Sequence, residues 1–139
     1  MSTAAVSALT HTMTLRVYYE DTDAGGVVYH AGYLRYLERA RTEWLRSLGY
    51  SQATLKAEES LVFTVVSMQL EFLKPARLDD LLRVRSRAAL AGGASVLFEQ
   101  EILRGESERI LTAQVRVACL DVTSFRPRRL PAALRESLQ

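Results

Sequence analysis

Residues 18–49 read YYEDTDAGGVVYHAGYLRYLERARTEWLRSLG, and this run decides the fold. Its second half carries Tyr33, Leu37, Ala40, Trp44 and Leu48 at helical spacing, widened by Leu34 and Leu45. That periodicity predicts an amphipathic helix over 31–48. Arg35, Arg39, Glu43 and Arg46 fall on the opposite side, with Arg39 and Glu43 four apart, and Gly49 supplies a stop. Glu38 reads as an ion-pair partner for Arg41 three residues on. Such a helix must bury its apolar stripe against another layer. Its first half is different in kind: Asp21, Asp23 and the pair Gly25-Gly26 mark a loop with unusual backbone angles, entering the helix at His30.

Outward from this unit the chain reads mostly as strands. Met13–Tyr19 has strand composition, with Leu15 and Val17 on one face. Ser51 is a natural N-cap for a short helix over 51–59. Four strand-like runs follow: 61–74, ended by Pro75; 81–90, closed by Gly92-Gly93; 95–104, closed by Gly105; and 110–122. Val66, Met68, Leu70 and Phe72 alternate in the first, Leu82, Val84 and Ala88 in the second, and Leu111 to Cys119 in the last. A short helix over 132–138 ends the chain. Strand, helix and then an antiparallel meander of four strands define an α+β architecture, a curved sheet wrapped around one helix in the hotdog arrangement. The expected boundaries are a flexible leader over 1–12 and one domain over 13–139.

At 139 residues with 48% hydrophobic and 24% charged side chains, the composition is that of a globular domain rather than a disordered chain. No apolar run approaches the roughly 20 residues of a membrane-spanning helix, and the first residues lack a signal-peptide pattern. A net charge of +2 gives no indication of a nucleic-acid partner. All basic residues except Lys56 and Lys74 are arginine, which suits bidentate anion contacts but also follows from composition bias. Cys119 is alone, so no internal disulfide forms; the cytoplasm is the expected compartment.

Several chemistries fail on spacing. Asp21-Thr22-Asp23 opens like a calcium loop, but the twelfth position is Gly32 rather than glutamate. One cysteine and the distant His11 and His30 make no zinc site. Neither a Gly-x-Ser-x-Gly elbow nor a phosphate-binding glycine loop is present. What remains is an acidic loop running into a helix N-terminus, whose free amides and macrodipole stabilise negative charge. Asp23 beside those amides would combine a base or nucleophile with an oxyanion hole. The same aspartates could instead satisfy loop amides, and His30 could simply pack. The residues alone leave both readings open.

The run RVYYEDTDAGGVVYHAGYLRYLERARTEWLRSLG closely resembles the signature of hotdog-fold acyl-CoA thioesterases of the 4-hydroxybenzoyl-CoA thioesterase class, and more narrowly the Tol–Pal-associated YbgC type. FLKPARLDDLL from Phe72 to Leu82 and PRRLP from Pro127 to Pro131 extend the likeness. The resemblance implies acyl-CoA hydrolysis without metal or cofactor. It implies that Asp23 is the catalytic carboxylate, as base or nucleophile, and that His30 stands where the thioester carbonyl is polarised. Tyr19 and Tyr29 match aromatic positions near the pocket, and Lys74, Arg87, Arg128 and Arg129 are candidates for the coenzyme A phosphates. It further implies a homodimer or homotetramer. Two rivals stand beside it: a hotdog dehydratase, whose histidine motif is not matched, and a non-catalytic protein that binds acyl carrier protein.

Overall fold

The computed structural model describes residues 10–139. Strand β1 spans Thr10–Arg16, and a single 3-10 turn covers Tyr19–Asp21. Helices α1 (His30–Ser47) and α2 (Gln52–Glu59) follow, then β2 (Leu61–Phe72), β3 (Leu81–Leu90), β4 (Ser95–Arg104), β5 (Glu108–Asp121) and the terminal α3 (Ala132–Ser137). The first strand begins earlier than its composition predicts, because Thr10, His11 and Thr12 pair with Arg87, Ser86 and Arg85. Those three residues therefore belong to the sheet rather than to a leader; the rest of the expected leader, 1–9, lies outside the described residues.

The five strands form one antiparallel sheet in the order β1-β3-β4-β5-β2. The α+β hotdog expectation is met, but the four-strand meander is not. Only β3, β4 and β5 are joined as consecutive hairpins; β2 lies at the far edge against β5, with Phe63 opposite Cys119 and Leu70 opposite Ala113. Leu73 and Lys74 both donate backbone bonds to the Ile110 carbonyl, after which Pro75 prevents further pairing. Residues 73–80 then carry the chain across the end of the sheet to β3. Alternation within β2 is also broken by a bulge between Val65 and Ser67, which leaves Val65 and Val66 exposed.

Helix α1 buries Tyr33, Tyr36, Leu37, Ala40, Trp44 and Leu45. They pack with Leu82 and Val84 of β3, Ile102 of β4 and Leu111 and Val115 of β5 in one apolar cluster. Each fully buried leucine contributes roughly 2 kcal/mol relative to exposure. Gly49 at φ +92° turns the chain out of α1, and the Ser51 hydroxyl caps α2 by accepting from the Thr54 amide at 3.1 Å.

Inside the core lies a polar cluster that helical spacing did not reveal. Arg41 does not form an ion pair with Glu38; its Nη1 donates to Oε1 of Gln100 at 3.0 Å. Gln100 Nε2 donates in turn to the Leu37 carbonyl at 3.1 Å and to the Ser86 hydroxyl at 2.9 Å. Glu38 instead accepts from the Thr42 hydroxyl, and Glu43 pairs with Arg46 rather than Arg39.

At the sheet end beside residues 73–80, Arg104 bridges Asp80 at 2.7 Å and Glu108 at 2.9 Å, and Lys74 also reaches Glu108 at 3.2 Å. Bonds from Arg104 and then Lys74 hold the Glu108 carboxyl down at about 2. A carboxyl held lower in the folded state stabilises above its unfolded pKa of about 4.3, and that stabilisation is lost as pH falls toward 2. Glu108→Gln is therefore expected to flatten the acid limb of a stability profile between about pH 4.5 and 2. Thermal unfolding across that range is the measurement; an unchanged slope would contradict it.

Candidate active site

The acidic loop leaves β1 at Val17, whose backbone exchanges hydrogen bonds with Asp79 and Asp80 ahead of β3. The turn at Tyr19–Asp21 is closed by Asp21, whose Oδ2 accepts from the Tyr18 amide at 2.9 Å. Thr22 then bridges Val28 to form a small hairpin, with the Asp23 amide donating to the Val27 carbonyl and the Gly26 amide to the Asp23 carbonyl. Gly26 has φ +79°, where a side chain would be strained. Asp23 thus stands exposed at the hairpin tip. Its Oδ1 accepts from the Gly25 amide at 2.8 Å, and Oδ2 carries no bond to the described residues.

The two aspartates have separate environments. Asp21 is partly buried and faces the Tyr36 hydroxyl, which is raised above its ordinary pKa by burial first and by Asp21 second. No described residue meets hydrogen-bond geometry with the Tyr36 hydroxyl, and Asp21 is the carboxylate it faces. Asp21 belongs to the scaffold of the loop, and Asp23 is its accessible carboxylate.

From Val28 the chain enters α1 directly, with Tyr29 as the extended N-cap residue. The Tyr29 amide donates to the Asp21 carbonyl at 3.2 Å, and the Gly32 amide to the Tyr29 carbonyl at 2.7 Å. The amides of His30 and Ala31 have no acceptor among the described residues. They are the unspent donors of the first helical turn. The His30 ring is exposed and lies 4.2 Å from the Tyr29 ring, between centroids. Tyr19 is 82% exposed, so within a single chain it forms no closed pocket wall.

A latch holds this loop to the sheet. Ala76, fully buried, accepts from the Val28 amide at 2.8 Å through its carbonyl and donates its own amide to the Tyr33 hydroxyl at 3.0 Å. Sequence periodicity marked Tyr33 only as an apolar position; its hydroxyl has a partner 43 residues away. Tyr33→Phe would orphan a buried amide and is expected to cost about 1–2 kcal/mol, read by urea unfolding.

The basic candidates do not converge. Lys74 lies on the connection that the latch ties to the acidic loop, beside Glu108. Arg87 projects from the outer face of β3, roughly 20 Å along the strand from Leu81. Arg128 donates to the Glu59 carbonyl at 2.8 Å and approaches Asp121 at 3.5 Å, while Arg129 lies near Gly93. Both are therefore at the opposite end of the sheet, separated from the loop by the length of β5, roughly 40 Å along the strand. Among the described residues, no group of three His, Cys, Asp or Glu side chains is placed to hold a metal, and no helix is long and apolar enough to cross a membrane.

Comparison with known proteins matches residues 17–138 to the thioesterase-like superfamily. An acyl-CoA thioesterase YbgC of Haemophilus influenzae is 46% identical over 121 residues, covering 87% of this chain and 88% of its own. The acyl-CoA thioester hydrolase YbgC of Shigella flexneri is 47% identical over 120 residues, covering 86% and 89%. Among solved structures, a probable thioesterase from Bartonella henselae superposes with a TM-score of 0.83 at 42% identity, over 88% of this chain and 99% of that one. A 1,4-dihydroxy-2-naphthoyl-CoA thioesterase from Synechocystis gives 0.86 at 26% identity, over 93% and 95%. The extent of these matches leads to one conclusion: the chain belongs to the thioesterase-like superfamily of hotdog proteins, among the relatives of the YbgC acyl-CoA thioesterases.

Proposed function

We propose that this chain is an acyl-CoA thioesterase, in which water and an acyl-CoA thioester give the free acid and coenzyme A. The observation that carries the reading is the passage from Asp23, with one unbonded carboxylate oxygen, to the two unspent amides of His30 and Ala31 within one short loop. The amides take the developing oxyanion of the thioester carbonyl. Asp23 either removes a proton from the attacking water or attacks the carbonyl carbon itself to form an anhydride that water opens. In both routes the carbon–sulfur bond breaks, the thiolate leaves, and a proton is returned to it. His30 contributes its backbone amide to this step and orients substrate through its ring, with Tyr29 beside it and Tyr19 at the rim.

The exposure of this loop, and of Val65, Val66 and Phe72 on the edge strand β2, supports a site completed by a second copy. A homodimer is the smallest assembly on this reading and a homotetramer the next. Lys74 is the basic candidate nearest the loop in the same chain; Arg128 and Arg129 would reach a coenzyme A phosphate only from another copy, and Arg87 from the outer sheet face. The cytoplasm, where acyl-CoA is made, is the proposed compartment, and acyl carrier protein is an alternative acyl donor. Thiol release over a panel of acyl-CoA lengths tests the activity. Free thiol in proportion to acid is expected; enoyl product without thiol would instead favour a dehydratase, and no product from any thioester would favour a binding protein.

A further inference from the structure

The Asp23 carboxylate at the hairpin tip and the free amides of His30 and Ala31 can act on one substrate only if their relation is fixed. Both hang on Val28. This residue bridges Thr22 at the foot of the hairpin, stands two positions before His30 and is buried. Its amide donates to the Ala76 carbonyl at 2.8 Å, and Val27 bridges Arg77 beside it. Residues 76–77 are therefore the rigid edge against which the loop is built. Ala76 has no exposed surface, so its own amide has no access to water, and the Tyr33 hydroxyl is its acceptor at 3.0 Å. Tyr33 stands in the first turns of α1, three residues beyond His30. A closed circuit results: α1 through the Tyr33 hydroxyl to Ala76, across to Val28, and along the chain through Tyr29 back into α1. The Tyr33 ring is held separately, by edge contacts with Tyr36 at 6.2 Å and Phe72 at 5.7 Å between centroids. Loss of the hydroxyl alone leaves that packing in place and opens the circuit.

We propose that Tyr33 is a positioning residue for thioester hydrolysis, acting through Ala76 and Val28 to aim the His30 and Ala31 amides at the developing oxyanion; this role rests on the thioesterase reading. Tyr33 touches no reacting atom. Oxyanion donors are effective because they are aimed before the charge develops, so that no reorganisation is needed during reaction. A displacement of about 1 Å at such a site is enough to cost up to roughly a hundredfold in rate. The amides act on charge that exists only in the transition state, whereas the body of coenzyme A binds elsewhere. The circuit therefore governs kcat and leaves KM near its native value.

Two measurements on the full chain test this, both at a temperature where every variant is folded. In a thiol-release assay, Tyr33→Phe is expected to lower kcat by roughly ten- to a hundredfold with KM changed less than about twofold. Ser51→Ala removes the N-cap of α2 and costs comparable stability far from the loop, and its kcat stays native. Loss of stability by itself therefore does not mimic the effect. In amide exchange followed by nuclear magnetic resonance, the Val28 amide of Tyr33→Phe exchanges roughly tenfold faster or more, while amides of β4 and β5 keep their native protection. The proposal is overturned by native kcat in Tyr33→Phe, by a loss confined to KM, by an equal loss in Ser51→Ala, or by unchanged exchange at Val28. Each of these leaves the thioesterase reading standing, provided that the wild-type chain releases thiol and Asp23→Asn does so far more slowly. A wild-type chain that releases no thiol ends that reading and this assignment with it.

Discussion

Asp23→Asn is expected to lower acyl-CoA turnover by roughly a hundred- to ten-thousand-fold, the usual worth of a positioned acid–base group, with KM and secondary structure little changed. The substitution is isosteric, and the asparagine oxygen can still accept from the Gly25 amide, so the hairpin tip persists. What is lost is the second carboxylate oxygen, the one left without a partner. Thiol release under saturating substrate, with circular dichroism and size-exclusion as controls, measures the effect. Turnover at the native rate would remove Asp23 from the mechanism. Two comparisons sharpen the result. His30→Ala keeps the backbone amide and should cost much less in kcat than Asp23→Asn. Asp21→Asn disturbs the tie to Tyr18 and the charge facing Tyr36, so its effect should appear in stability as well as rate.

The largest expected effect on stability comes from the buried polar cluster. Gln100→Leu removes the acceptor of Arg41 and both donors that serve Leu37 and Ser86. Leaving a guanidinium and a hydroxyl unsatisfied in the core should cost about 3 kcal/mol, or a fall in Tm of roughly 10 °C. The double variant Arg41→Met/Gln100→Leu should recover much of that loss, because replacing both partners by apolar groups avoids the orphaned charge. Denaturant unfolding of the two single variants and the double closes the cycle. A double variant as unstable as the sum of the singles would mean that the two side chains act independently.

The parts of the site legible in the sequence are those made of neighbours along the chain. Asp23, the glycine turn and His30 lie within one short loop, so their proximity to the helix N-terminus follows from chain connectivity. The helix was legible because an apolar period of 3.6 residues, sustained over so long a run, fits a helix and not a strand. The separation of the roles of Asp21 and Asp23 was not, since it depends on Tyr36 lying behind the first and solvent in front of the second. Nor was the latch at Ala76, because an apolar-looking Tyr33 conceals a hydroxyl whose partner lies in a distant connection.

The sheet divides in the same way. Alternation in β3 and β5 set their inner faces correctly, since a strand with one buried face has a period of two whatever its neighbour is. The position of β2 could not be read from that period, because pairing with β3 or with β5 would bury the same side chains equally well. Only the path of residues 73–80 across the sheet end chooses between them. Arg41 illustrates the limit most sharply: helical spacing offers Glu38, one turn away, while the packed core offers Gln100 from β4, and burial selects the partner that shares the interior. By itself, then, the sequence determined the central helix and the acid-bearing loop that feeds it, both consequences of local period and adjacency, and the hotdog class through its resemblance to a known family. Tertiary structure alone decided the edge position of β2, the partner of Arg41 and the scattering of the basic residues, because each depends on contacts between segments far apart in the chain.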